Sequence, residues 1–454
     1  MSFIQHIPNN SKIAISTLTE HITFSQLHEK IQSTIQYYEN ISERSVVWID
    51  CKNTIQTLIL FISFWEKNCC VVPIDPQMTL SEIQTLHKII APNLIVNQTE
   101  GGNLSQISTT DLTNSDILDA NTVQLSSGST GEPKIILISN KAIIYRAISN
   151  FRHLALNETD KTLCSVPLSH SHGIDCLALP SLFSGGTLYI TDPQTSFPNR
   201  ILDWIEKYGI TFFSSIPQMY NYFNQIYSQS YQQKKWNLST LRYPFCGSAA
   251  LSLETAKQFN KNFNLKLNQG YGLAEIGVIC VNLKADSDKY DSIGEPIPGI
   301  DWKLSADSEL WVRSKALFSG YYRKKEETEQ RMTVDGYLMT EDLINVSQEF
   351  LYIVGRKNDF INVMGKKVYP KEIEDQLASM GGLADYCVTS EPDPERGQVP
   401  VLHLVQSHLD TEMTEKKIFE YLTNHMEQFK IPKKIKWHAS FPKSPLGKVI
   451  KSKL

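Results

Sequence analysis

The segment Leu125-Ser126-Ser127-Gly128-Ser129-Thr130-Gly131-Glu132-Pro133-Lys134 concentrates residue types that hold an oxyanion. Its glycines let the backbone wrap a phosphate, its hydroxyls donate into the same space, and Lys134 adds a point charge. The pattern is not the P-loop of nucleoside triphosphatases. Its spacing fails GxxxxGK[ST], and Pro133 interrupts an immediate helix. A polar surface turn has the same composition, so the loop by itself leaves both readings open.

The runs around this loop indicate what must position it. FSQLHEKIQSTIQYYEN reads as an amphipathic helix, SVVWID and CCVVPID as strands, SEIQTLHKII as a helix and NLIVNQ as a further strand. Strands alternating with helices predict parallel α/β organisation, and the alternation resumes with KTLCSVPL, GTLYITD, ITFFSSIP and LRYPFCGS. From about Asp291 the pieces become shorter and β-like (SELWVRS, GYLMTEDLINV, EFLYIVGR), and a smaller α+β unit follows Arg356. The expected class is α/β: a large N-terminal part of layered αβ subdomains plus a β-rich piece, with a small mobile α+β C-terminal domain.

Composition narrows the partners. The 454 residues exceed one ordinary domain, and a net charge of −4 provides no bulk basic field for nucleic acid or anionic membrane. Most of the C-terminal lysines read as a solvated face and tail. Eight cysteines without a CxxC pair suggest neither a zinc site nor a disulfide framework, so a reducing cytoplasm fits best. The N-terminus lacks a signal-peptide pattern, and the longest apolar stretch, Thr57 to Trp65, is about half the length of a membrane span. A soluble cytoplasmic protein with no membrane span is expected.

The order SSGSTGEPK resembles the signature of the adenylate-forming superfamily, which contains acyl- and aryl-CoA ligases, luciferases and peptide-synthetase adenylation domains. Further segments follow in that family's order. Pro167-Leu168-Ser169-His170-Ser171-His172-Gly173 resembles PLxHxxG, and Gln269-Gly270-Tyr271-Gly272-Leu273-Ala274-Glu275 resembles QGYGxTE. Ser292-Ile293-Gly294-Glu295-Pro296 resembles the SIGxP turn, and the run Asp335 to Leu343 resembles DGWxxTGDL. Val354-Gly355-Arg356, then Gly365 and Pro370-Lys371-Glu372-Ile373-Glu374, resembles GRxxD…G…PxEIE; Pro445-Leu446-Gly447-Lys448 resembles the terminal PxGK. The pattern is closest to acyl- and aryl-CoA ligases.

The resemblance implies ATP-dependent activation of a small carboxylic acid to an acyl adenylate with release of pyrophosphate. Transfer to a thiol follows, on CoA or the phosphopantetheine of an acyl carrier protein, with release of AMP. It implies that Ser126, Ser127, Gly128, Ser129, Thr130, Gly131 and Lys134 hold the outer phosphates and that Glu275 binds Mg²⁺. Gly247, Ser248, Ala249, Gln269, Gly270, Tyr271, Gly272 and Ala274 would surround the nucleotide, with Tyr271 offering an aromatic face to adenine. Asp342 and Arg356 would face the ribose, His170 would flank the acyl pocket, and Lys448 would stabilise charge at the reacting carboxylate and α-phosphate. The implied domains are 1–356 for adenylation and 357–454 for a mobile cap carrying Lys448, pivoting at Asn358.

Several positions depart from the pattern: Ile135, Ala274, Glu341, Asn358 and Met364 replace its usual residues. Ala274 lacks the threonine hydroxyl that bonds the α-phosphate, a loss of roughly 1.5–3 kcal/mol if nothing compensates. These departures motivate one alternative, a nucleotide- or acyl-binding homologue without turnover. Another is a stand-alone amino-acid adenylation enzyme loading a carrier protein. By spacing to Gly185, its ammonium-binding aspartate would fall at His172, although Asp175 lies nearby. A luciferase-like oxygenase has no supporting residue of its own. The terminal Ser452-Lys453-Leu454 matches a peroxisomal address, but the family's own ending produces it easily.

Overall fold

The computed structural model describes residues 2–98, 104–108, 117, 120–126, 134–230, 235–249, 251–283, 289–380, 383, 385–405, 415–443 and 449–454; for 104–108, 126, 229–230 and 452 it describes the backbone only. The first strands form by the expected alternation. Val46–Asp50 and Cys70–Ile74 pair in parallel with every Cα in register, and Leu94–Gln98 joins Val46–Asp50 on its other side, also parallel. Between the first two runs lies the helix Ile55–Glu66. It is apolar on every face and buried from Leu58 to Trp65, so it is a core helix of the domain. Among the described residues no helix is long and apolar enough to cross a membrane.

This seven-stranded sheet also receives the strands Thr122–Ser126 and Lys134–Ile138, which pair antiparallel with Ser126 opposite Lys134. The two ends of the phosphate-loop segment are thereby fixed, while residues 127–133 lie outside the described residues. A second sheet, of nine strands, places Lys161–Cys164, Phe212–Ser215, Tyr243–Cys246 and Asn268–Leu273 near its centre. Neighbours among Phe212–Ser215, Tyr243–Cys246 and Asn268–Leu273 are parallel, so their carboxyl ends share one edge of the sheet. Ligands in open α/β sheets bind at that kind of edge.

The chain turns back after Leu273, because Gly277–Asn282 pairs antiparallel with Asn268–Leu273. Gly272 is required in this turn: a Cβ there would lie 2.2 Å from the Gly277 carbonyl oxygen. The β-rich piece is a four-stranded antiparallel sheet of Asp301–Leu304, Glu309–Arg313, Leu338–Ser347 and Phe350–Arg356. The architecture is thus mixed α/β with a large N-terminal part and a smaller C-terminal unit. That unit has its own sheet and its own core, formed by Ile361, Val363, Ile373, Leu377, Val388, Leu402, Leu404, Ile418 and Leu422.

Two positions where the sequence lacks an expected glycine keep a left-handed backbone, with φ 64° at Glu341 and 53° at Met364. A side chain there costs about 1 kcal/mol or more relative to a right-handed residue. Each is therefore glycine-like in conformation though not in identity.

Candidate active site

A cavity of about 700 Å³ opens at the carboxyl edge of the nine-stranded sheet, a volume typical of small-molecule sites. Its inner wall is organised by His172, which lies in the short helical turn Ser171–Gly173 after the strand Lys161–Cys164. The ring is buried, with Nε2 2.7 Å from Ser214 Oγ and Nδ1 3.0 Å from Ser248 Oγ. Burial, with a smaller contribution from His170, pushes the His172 pKa down to about 4. Ser248 pays for its place with a left-handed backbone, φ 67°. His170 is also on the wall, 3.7 Å from the Asp75 carboxylate, to which Ser169 Oγ donates at 2.6 Å. Burial lowers the His170 pKa, and Asp75 opposes this.

Asp175, two residues beyond Gly173, does not line the cavity. Its Oδ2 is 3.1 Å from Arg146 Nη1 and accepts from Ser171 Oγ at 2.7 Å; the two side chains of the ion pair are 2% and 1% exposed. Asp175 lies on a π-helical turn, Ile174–Ala178, that aims it toward the helix Asn140–His153 carrying Arg146. Its carboxylate is committed to a structural ion pair, which removes the expectation that it might bind a substrate ammonium.

Three of the residues expected around the nucleotide meet in the wall of the same cavity. Tyr271 Oη donates to Asp342 Oδ2 at 2.5 Å, and Arg356 Nε donates to Asp342 Oδ1 at 3.0 Å. The second contact follows from register, since Asp342 and Arg356 are directly opposed on antiparallel strands. Burial and the neighbouring Asp342 raise the Tyr271 pKa well above its ordinary value, so the phenol stays a donor. Each carboxylate oxygen has a second acceptor position for a ligand hydroxyl. Gly247, Ser248, Ala249, Gln269, Gly270, Gly272 and Ala274 all line the same cavity.

Glu275 and Lys134 lie apart from that wall but share one neighbour. Tyr321 donates to Glu275 Oε1 at 2.7 Å, and Lys134 Nζ sits 5.1 Å from the centre of the Tyr321 ring. Lys134 also lies 3.5 Å from Glu327. Sequence reasoning missed Tyr321; its only signal was a paired aromatic, Tyr321-Tyr322, after Gly320 and before a charged run. It also missed Ser214, at the end of an apolar strand, and Asp75, in the turn after Cys70–Ile74.

The outer rim comes from the C-terminal unit. Its helix Pro370–Met380 contributes Lys371, Glu374 and Asp375, joined by Lys451 and Asp359. Lys371 pairs with Asp375 at 2.6 Å, and Lys451 lies 3.5 Å from Glu374 and 3.7 Å from Asp359. Asn358 is exposed and donates to Glu341 Oε1 at 3.3 Å. Lys448, Ser127, Gly128, Ser129, Thr130 and Gly131 lie outside the described residues, as does the side chain of Ser126.

Comparisons with known proteins give the family and the fold. Residues 7–322 match the family model for AMP-binding enzymes, and residues 372–448 match the model for the AMP-binding enzyme C-terminal domain. The 4-coumarate–CoA ligase-like 2 protein of Arabidopsis thaliana is 28% identical over 348 residues, which are 72% of this chain and 60% of that protein. The match thus spans less than two thirds of that relative. The 2-succinylbenzoate–CoA ligase of Listeria monocytogenes is 26% identical over 450 residues, 95% of this chain and 93% of that one. Among solved structures, ATP-bound MatB from Rhodopseudomonas palustris superposes with a TM-score of 0.88 at 20% identity, covering 99% of this chain and 97% of that one. That last likeness is one of fold. On the family match over residues 7–322, this chain belongs to the AMP-binding enzyme family.

Proposed function

We propose that the chain is an AMP-forming acid–thiol ligase: it activates a carboxylic acid with ATP and passes the acyl group to a thiol. The observation that carries this reading is the Tyr271–Asp342–Arg356 cluster in the wall of a cavity that His170 and His172 also line. The cluster suits a ribose, the family resemblance puts His170 beside the acyl group, and all of these residues line a single space. The curated relatives that are CoA ligases support the same reading.

In the first half-reaction a carboxylate oxygen attacks the α-phosphorus and the bond to pyrophosphate breaks. Two anions must approach, so the protein's task is to align them and neutralise charge. Asp342 and Arg356 orient the ribose, and Lys134 with the loop 126–131 attracts the leaving phosphates. Lys448 stabilises charge at the reacting centre. Glu275, whose Oε1 accepts from Tyr321, would supply a carboxylate to a Mg²⁺ site otherwise completed by substrate phosphates and water. Mg²⁺ there would offset phosphate charge.

In the second half-reaction a thiolate attacks the acyl carbon and AMP leaves. The acceptor is CoA or a carrier-protein phosphopantetheine. The change of step is assigned to rotation of the unit 357–454 against 1–356 about Asn358, and the separate core of the C-terminal unit supports this division. The eight cysteines are free thiols, which supports a cytoplasmic location. ATP–pyrophosphate exchange over a panel of carboxylic acids tests the reading. Acid-dependent exchange is expected, and none with any acid from folded protein contradicts it.

A further inference from the structure

The cavity has an asymmetric charge distribution. Between positions 124 and 281 the described residues that line it include no Asp, Glu, Lys or Arg. Every formal charge on the described wall comes from Asp291 and from positions 342–451. Two carboxylates, Asp175 and Asp75, accept hydrogen bonds from residues of this wall but do not line the cavity. Asp175 is matched by Arg146 at 3.1 Å, and Asp75 accepts from Ser169 at 2.6 Å and lies 3.7 Å from His170. His172, whose two ring nitrogens are held by Ser214 and Ser248, is neutral near pH 7.

The inner wall still has polar capacity. Gln124 Oε1 and Gln269 Oε1 are buried on it and have no hydrogen-bond partner among the described residues. Both side chains are more than nine-tenths buried. An amide oxygen accepts from a hydroxyl or N–H. It does not balance a carboxylate, and it balances an ammonium poorly compared with an anion. A second carboxylate, or an α-ammonium, would therefore lose its hydration here without a counter-ion among the described residues of this wall.

We infer that the acid activated by this enzyme carries no second formal charge: its body is apolar or aromatic, with neutral hydroxyl or N–H groups at most. The assignment names the substrate class of the proposed ligase and rests on that reading. It sets this chain apart from a 2-succinylbenzoate ligase and from an amino-acid adenylation enzyme, both of which handle doubly charged substrates.

Calorimetric binding to the full chain saturated with AMP tests it, using benzoate, 4-coumarate and hexanoate against succinate, 2-succinylbenzoate and phenylalanine. The best singly charged acid should bind at least about 100-fold more tightly than any doubly charged one. A smaller ratio, or no binding by any singly charged acid, overturns the inference. Pyrophosphate exchange with the same six acids separates the two claims. Exchange led by a doubly charged acid overturns the inference and leaves the ligase reading standing. Selective binding without exchange supports the inference and contradicts the ligase reading.

Discussion

The inner wall and the outer rim of the cavity are built on opposite plans. The inner wall hangs from the carboxyl ends of buried parallel strands, carries no formal charge among its described residues, and ties His172 to two hydroxyls. The rim is a mesh of carboxylates and lysines on partly exposed elements, with Lys371–Asp375 and Lys451–Glu374 as examples. A rigid neutral surface discriminates by shape and desolvation. An exposed charged surface, with ion pairs worth little individually, can exchange partners when the C-terminal unit moves. Selectivity is thus assigned to one side, and charge handling and rearrangement to the other.

The largest effect should come from the C-terminal unit. Lys448→Ala should lower adenylate formation at least about 100-fold, the scale for losing one group that stabilises transition-state charge. Thioester formation from supplied acyl adenylate should persist, and stopped-flow assays of the two half-reactions would show the split. Equal loss of both would erase the division of labour. On the inner side, Asp175→Ala leaves Arg146 buried without its partner and should destabilise the fold by about 3–5 kcal/mol. Urea unfolding reads this, and an unchanged midpoint would mean that the ion pair does not support the wall.

Removing a carboxylate at the boundary is the intermediate case. Asp342→Ala should weaken AMP binding by about 10- to 100-fold through loss of two ribose hydrogen bonds. Acid selectivity should not change, because Asp342 is assigned to the ribose and not to the acid. Protonation gives a further test of the inner wall. His172 has a folded-state pKa of about 4, below the ordinary 6.5. The unfolded chain therefore binds the proton more readily, so the contribution is full above pH 6.5 and is lost as pH falls toward 4. The loss approaches about 3 kcal/mol. His172→Gln should flatten that part of the stability-against-pH curve. The smallest effect belongs to Met364→Gly: φ is 53° and the side chain is 68% exposed. Stability should rise by no more than about 1 kcal/mol.

Much of this was legible in the sequence. The helices and strands with clear periods, such as Phe24–Tyr37 and Phe350–Arg356, form where the pattern placed them. The helix Ile55–Glu66 carried no periodic signal, since a helix buried on every side has no polar face to mark its turns. The Tyr271–Asp342–Arg356 cluster was legible as three separate residues, but the bonds joining them depend on strand register. The role of Asp175 was left open in the sequence because its partner, Arg146, is 29 residues away and meets it only through helix packing. Tyr321 was invisible for a related reason. Its hydroxyl meets Glu275 across 46 residues, and no spacing rule links them. Glu341 and Met364 read as lost glycines, whereas the backbone keeps the glycine conformation and carries the strain.

The most direct test of the central claim is to identify what accumulates when the enzyme, ATP, Mg²⁺ and a singly charged acid are mixed without any thiol. Mass spectrometry of the quenched mixture should find the acyl–AMP anhydride together with pyrophosphate in equal amount. ADP with inorganic phosphate, or unreacted ATP for every acid offered, would contradict it.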